Sequence, residues 1–246
     1  MFSLVRAFST ICSFQCFLMK SLFTLLFFIL TLPALQAQTA DTLRHEVLFE
    51  TTLGKIRVQL YNDTPKHRDN FLRLVREGFY DGLLFHRVIP NFMVQAGDSL
   101  SREAKPGVKL GDSPEPYSLP AEIVFPRHYH KSGALAAARE GDEVNPERRS
   151  SAYQFYIVTG TLYTDEGLAR AQEHLDSMTQ GRAKLTLEIK DTYRSFGGMP
   201  YLDGQYTVFG EVVEGLDIAD QIQWVGRDEN DRPFDDLRII KATIVK

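Results

Sequence analysis

Residues 46–245 predict a mainly β fold, a closed or nearly closed antiparallel barrel framed by two α-helices. Three observations carry that reading. Short alternations of apolar and polar residues recur through the segment, only two stretches frame it with a helical stripe, and strands do not alternate regularly with helices as a parallel βαβ sheet requires. Composition is that of an ordinary globular chain: 246 residues, 43% hydrophobic and 24% charged, which excludes disordered, collagen-like and disulfide-knot classes. No internal repeat is visible.

The first 37 residues are read apart from the fold. They hold seven of the seventeen Phe, both cysteines (Cys12 and Cys16) and no acidic residue. From Met19 the order is Lys20, an apolar run from Leu22 to Leu32, Pro33, and then Ala34-Leu35-Gln36-Ala37-Gln38. This is the pattern of a secretory signal peptide cleaved after Ala37, with Met19 as an alternative start. The run is shorter than the ~20 apolar residues of a transmembrane helix, so a removable signal over 1–37 and a domain over 38–246 are expected. The alternative is an uncleaved segment tethering the domain to the inner membrane. With neither cysteine retained, Cys nucleophiles, disulfides and thiolate metal sites are excluded, and an oxidising, periplasmic location fits. The formal charge of −4 becomes −6 once Arg6 and Lys20 leave, so there is no basic footprint for nucleic acid.

The elements follow in order. Val47-Leu48-Phe49-Glu50 and Lys55-Ile56-Arg57-Val58-Gln59-Leu60-Tyr61 flank Thr51-Thr52-Leu53-Gly54. Ile56, Val58 and Leu60 alternate with polar neighbours, so the pair reads as a β-hairpin. Asp63-Thr64-Pro65 offers a helix start, Phe71, Leu72, Val75 and Phe79 a stripe, and Gly78 a stop, predicting a helix over about 65–77. Strand content returns over 83–98 around Pro90-Asn91, and then over 135–138, 154–158, 206–213 and 237–245. The stretch 216–224 reads as the second framing helix, with Leu216, Ile218 and Ile222 inward.

Residues 161–198 break this texture. Leu168, Ala171, Leu175 and Met178 recur at helical spacing between Thr164-Asp165 and Gly181. Leu185, Ile189, Tyr193 and Phe196 continue on a second helix before Gly197-Gly198, although Leu185, Leu187 and Ile189 also permit a strand. A helical insertion in a β framework is expected to be decoration or a partner surface rather than a catalytic element.

Chemistry concentrates in three pieces. In Phe85-His86-Arg87-Val88-Ile89-Pro90-Asn91-Phe92-Met93-Val94-Gln95, strand parity puts Phe85 and Arg87 on one face before the turn, and Met93 and Gln95 on one face after it. A cation, a thioether and an amide then border one shallow apolar surface. In Gln154-Phe155-Tyr156-Ile157, Gln154 and Tyr156 share a face while Phe155 and Ile157 fill the other. The third piece sets Tyr201 and Leu202 before the Asp203-Gly204 turn, followed by Val208-Phe209-Gly210.

With these three motifs in this order, the sequence resembles the cyclophilin-type peptidyl-prolyl cis-trans isomerases over about 46–245. The resemblance implies a closed eight-stranded antiparallel barrel with a helix at each end and an active face on its outer wall. It implies Arg87 as catalytic residue, a proline pocket of Phe92, Met93, Tyr156 and Leu202, and peptide-positioning amides at Gln95 and Gln154. Ala138 and Arg139 fall where the family contacts the substrate backbone. The sequence also departs from the family: Tyr201 stands where many members have Trp, Tyr206 where they have His, Arg139 for Asn and Tyr156 for Phe. The only Trp, Trp224, lies in the second helix. These departures speak against cyclosporin sensitivity.

The chemistry implied needs no metal, cofactor or covalent nucleophile. Rotation about a peptide bond faces a barrier of about 18–20 kcal/mol because nitrogen shares its lone pair with the carbonyl. For Xaa-Pro, cis lies only about 0.5–1 kcal/mol above trans, so both isomers are substrates. An enzyme must stabilise the twisted state, where the lone pair is localised on the prolyl nitrogen. A partly desolvated guanidinium can donate to it. The expected partners are proline-containing polypeptides and the expected state is monomeric. The alternative reading is a catalytically weak binding or chaperone module that uses the groove or the insertion.

Other features read as structural. Strand parity turns His86 away from Arg87, and His128-x-His130 reads as a surface pair, with no third ligand at a recognisable spacing. Asp228-Glu229-Asn230-Asp231 lacks the Gly and Glu of a calcium loop. Neither a G-x-S-x-G elbow nor a phosphate-binding glycine loop occurs.

Overall fold

The computed structural model describes residues 43–246; the leader expected over 1–37 lies outside them. Alternating apolar residues in Glu46–Thr51 (β1) and Lys55–Leu60 (β2) form the expected hairpin, with Val47, Phe49, Ile56, Val58 and Leu60 buried. Pro65–Arg76 (α1) follows, with Pro at its start and Gly78 in the left-handed region just past its end (φ 67°). Phe85–Ile89 (β3) and Met93–Ala96 (β4) pair across the Pro90-Asn91 turn. Next come Ser118–Leu119 (β5), Ala134–Ala137 (β6), Ser150–Ser151 (β7) and Phe155–Val158 (β8). After the insertion, Val208–Glu214 (β9), Leu216–Gln223 (α4) and Ile239–Ile244 (β10) complete the chain. β5 and β7, two residues each, pair only with one another.

Eight strands join in the antiparallel order β10-β1-β2-β9-β6-β8-β4-β3. They form a curled, open sheet, which corrects the expected closed barrel. The edge strands β3 and β10 share no ladder. Among the described residues their backbones meet at the bridge Leu84–Arg238 and through bonds at the first residue of each strand: Phe85 N–H to Leu237 O at 2.8 Å, Ile239 N–H to Leu83 O at 2.8 Å and Gly82 N–H to Ile239 O at 2.7 Å. Opposite the outer half of β3 the chain is a loop containing Asp231 at φ 61° and Pro233, which has no N–H to give. The Asp231 carbonyl accepts there from Val88 N–H at 2.8 Å.

The inner side of the curl is the core. Phe49, Phe71, Tyr80, Phe155 and Phe209 pack there, with Phe49 and Phe155 stacked at 5.5 Å and Phe71 edge-on to Phe155 at 5.5 Å. From α1, Phe71, Leu72, Leu74 and Val75 join this core, and α4 adds Ala219 and Ile222. Leu216, expected inward, is exposed at the first position of α4.

The insertion is helical, as Asp165–Thr179 (α2) and Leu187–Ser195 (α3). Thr164 caps α2 by accepting from Gly167 N–H at 3.2 Å, and Thr186 caps α3 by accepting from Ile189 N–H at 3.3 Å. Leu168, Ala171, Leu175, Leu185, Ile189 and Tyr193 help form its own core, and helix prevails over the strand option from Leu187 onward, with Leu185 in the segment just before α3. Met178 and Phe196, read as part of the stripes, stand exposed instead. Gly198 returns the chain to the sheet through bridges to Lys131 and Thr161. A Cβ there would lie 2.2 Å from the His130 carbonyl oxygen, so only glycine fits.

Gly97, immediately after β4, is similarly constrained: φ is 107° and a Cβ would lie 2.2 Å from the Tyr153 carbonyl oxygen. Gly97→Ala is therefore expected to destabilise the fold by about 1–3 kcal/mol, from backbone strain together with the clash. The measurement is a lowered urea midpoint at unchanged slope.

Candidate active site

Register between β3 and β4 builds the site. Phe85 pairs with Ala96 but Arg87 pairs with Gln95, so His86 is an extra residue, a β-bulge. The bulge inverts the expected parity. Phe85 lies in the core with Val88, Val94 and Ala96, whereas Arg87 meets Gln95 on the outer face. From Arg87 a chain of directed hydrogen bonds runs across three strands. Arg87 Nη1 donates to Gln95 Oε1 at 3.3 Å, Gln95 Nε2 to Gln154 Oε1 at 3.0 Å, and Gln154 Nε2 to the Gly111 carbonyl at 2.9 Å. Each amide has one possible orientation in such a chain, because its oxygen must accept and its nitrogen must donate. The Arg87 side chain remains 43% exposed, and its Nε stands 3.9 Å from Asp231.

Beside Arg87 lies an apolar hollow. Met93, Tyr156, Val158, Ala134, Ala136 and Val208 form its buried floor, and Phe92, Leu202, Tyr206 and Ala138 pack around it. Strand pairing explains this meeting: Gln95 faces Tyr156 and Met93 faces Val158 across β4 and β8. Tyr201 is not brought into the hollow; its ring packs on the insertion, 5.4 Å from His174 and 6.3 Å from Tyr163. Arg139 is held down. Its guanidinium lies 4.3 Å above the Tyr206 ring, Nε donates to the Gln205 carbonyl at 3.0 Å, and Nη1 meets Asp142 at 2.7 Å. An open cleft of about 760 Å³ continues past Gln95, Gln154, Ala138 and Arg139 toward Asn145 and Arg149.

The cyclophilin type peptidyl-prolyl cis-trans isomerase/CLD family matches residues 46–244, most of the chain. The chain belongs to this family. Peptidyl-prolyl cis-trans isomerase ppi1 of Schizosaccharomyces pombe is 31% identical over 197 residues, covering 80% of this chain and 96% of that protein. Peptidyl-prolyl cis-trans isomerase cypE of Dictyostelium discoideum is 31% identical over 198 residues, covering 80% and 96%. Among solved structures, a cyclophilin type isomerase of Cryptosporidium parvum superposes with a TM-score of 0.59 at 22% identity, covering 83% of this chain and 99% of that one.

This cyclophilin-type isomerase holds His128 and His130 differently from the sequence reading, while His86 is buried as expected. His130 is not a surface residue but fully buried. Its Nδ1 and its backbone N–H meet Asp203 Oδ1 at 2.9 and 2.8 Å, and its Nε2 meets the Tyr156 hydroxyl at 3.0 Å. Asp203 Oδ2 accepts from the Tyr193 hydroxyl at 2.7 Å. Sequence reading missed this cluster, although a buried tyrosine hydroxyl at position 156 itself demands a partner. His128 is half-buried, its side chain covered by stacking on Tyr61 at 3.9 Å and 2.7 Å from Asp63.

His86 is almost wholly buried and lies against Gly111, which also receives Gln154. Burial pushes its pKa down to about 4, with neighbouring Arg87 in the same direction and Asp98 opposing. The folded-state value lies below that of the unfolded chain, so between the two only the unfolded chain takes up the proton. Stability contributed by neutral His86 is therefore complete above pH ~6.5 and is lost as pH falls toward 4, by up to about 3 kcal/mol. Urea midpoints of wild type and His86→Gln between pH 7 and pH 4 check this; the wild type is expected to show the steeper loss.

Proposed function

We propose that the protein catalyses rotation of Xaa-Pro bonds in exported polypeptides, assisting their folding, with Arg87 as the catalytic residue. The observation that carries the reading is the placement of a fixed guanidinium beside a ring-sized apolar hollow on the same outer face of the sheet. In this reading the pyrrolidine ring seats among Phe92, Met93, Tyr156 and Leu202. Gln95 and Gln154 hold the flanking backbone while Arg87 donates to the prolyl nitrogen as conjugation breaks. Ala138 and Arg139 border the preceding residues, and Tyr206 closes the hollow under the Arg139 cation. Tyr201, turned onto the insertion, lines the approach rather than the pocket. The protein acts as a monomer, without metal or cofactor and without nucleic acid. The leader pattern supports a periplasmic location, with the domain released after cleavage or tethered to the inner membrane.

Arg87→Ala is expected to lower kcat/KM by about 10²–10³-fold, the size seen when one donor to a developing lone pair or charge is removed. Far-UV circular dichroism should be unchanged, because the side chain is partly exposed. A protease-coupled proline-peptide assay measures the rate, and equal rates in the two proteins would remove Arg87 from the mechanism.

One observation favours the second reading, a binding or chaperone surface. Leu162, Leu187 and Phe196, all in the insertion, are 62%, 78% and 75% exposed. If they hold unfolded clients, replacing all three by Ser leaves turnover of a short peptide within about twofold, as for surface changes away from a site. Suppression of client aggregation, followed by light scattering, should fall.

A further inference from the structure

We infer that the helical insertion positions the floor of the proline hollow through the buried chain Tyr193–Asp203–His130–Tyr156, so that Tyr193 is a positioning residue for isomerisation rather than part of a decoration. The inference rests on the reading of Tyr156 as a substrate-binding residue.

The four groups are connected and shielded. Tyr193, on α3 of the insertion, is fully buried and its hydroxyl donates to Asp203 Oδ2 at 2.7 Å. Asp203 follows Leu202 of the hollow and is itself fully buried; its other oxygen holds the His130 backbone N–H at 2.8 Å and ring Nδ1 at 2.9 Å. Because a carboxylate only accepts, the proton sits on Nδ1. In the neutral ring Nε2 is then the acceptor for the Tyr156 hydroxyl, 3.0 Å away. Burial raises the pKa of both tyrosines well above the ordinary range, so both hydroxyls remain donors. The His130 and Tyr156 rings lie nearly parallel, at 13°, and Tyr206 stands edge-on to both.

With the imidazole neutral, the carboxylate thus sets the direction of every bond in the chain from the insertion to the hollow. Gly198 seats the far end, since the insertion returns against the His130 carbonyl at a distance no side chain permits. A phenylalanine at position 156 would pack in the same place but would have no bond to His130. The tyrosine hydroxyl is therefore the hydrogen-bonded link through which the insertion holds that ring, beside the packing of Met199, which takes the Tyr163 hydroxyl on its sulfur at 3.7 Å; the hydroxyl link lets Tyr193 influence how a proline seats. Such an effect appears in KM, because it concerns the ring that receives the pyrrolidine and not the guanidinium that acts on its nitrogen.

A double-mutant cycle tests the link, with kcat and KM measured by the protease-coupled peptide assay for wild type, Tyr193→Phe, Tyr156→Phe and the double variant. Tyr193→Phe leaves Asp203 two of its three hydrogen bonds. It is expected to lower kcat/KM about threefold to tenfold, mostly through KM, as for coupled neighbours. In the Tyr156→Phe background, where the link is already cut, the same change should alter kcat/KM by less than about twofold. An equal loss in both backgrounds, or no loss in wild type, overturns the proposal. Thermal midpoints of all four proteins separate this from general destabilisation, which Tyr193→Phe should cause in both backgrounds. Arg87→Ala is assayed alongside. If it is silent, the catalytic reading fails; if it is inactive while the cycle is additive, only the link from the insertion fails.

Discussion

One extra residue in β3 fixes the face on which the site is built. His86 has no partner of its own in β4, so the strand gains a half-turn between Phe85 and Arg87. Phe85 can then fill the core while Arg87, two residues on, stands outside with Gln95. Without the bulge, a strict period of two would send both side chains the same way. Either a charged group would enter the aromatic core or a phenylalanine would be left in water. The buried His86 is the cost of this arrangement, since its ring is held neutral in a nearly water-free position beside a cation.

The central strands then convert backbone pairing into side-chain order. β4 lies between β3 and β8, so Arg87, Gln95 and Tyr156 occupy consecutive strands in register, and Gln154 follows beside them. Hydrogen bonds along this row run one way, from guanidinium to Gly111 carbonyl. They leave the amides pre-oriented, and on the proposed reading this preorganisation is what lets the polar wall act on a reaction without a covalent step. Curling of the sheet separates this outer row from the inner aromatic core, so the chemistry and the packing do not compete for the same side chains.

Much of the fold was legible because its signals are local. Alternation in 55–60, Pro65 and Gly78 around α1, and Thr164 and Gly181 around α2 each act within a few residues, and each element formed where those signals stood. Site residues carried by the resemblance are gathered on one face, apart from Tyr201. What could not be read depends on distant partners. The bulge at His86 is a property of two strands, the opening between β3 and β10 depends on a loop more than 140 residues away, and the burial of His130 is set by Asp203 and Tyr156. Spacing alone made His128 and His130 look like a loop pair. Exposure of Phe196 and Met178 has the same origin, for the stripe they continue is cut short where the insertion's core ends.

The insertion changes what kind of wall the hollow has. In a sheet of this design the floor residue at 156 needs only to be a flat ring, and van der Waals contact with Met93, Ala136 and Val208 suffices to seat it. A hydroxyl there would be a liability in an apolar pocket unless satisfied, because an unpaired buried hydroxyl costs about 1–3 kcal/mol. Here it is satisfied by His130, which is satisfied by Asp203, whose second oxygen needs a donor that the sheet itself does not supply. Tyr193 of the insertion is that donor. The polar floor and the added helices are therefore mutually dependent: either one alone leaves a buried group without a partner, and together they close the chain.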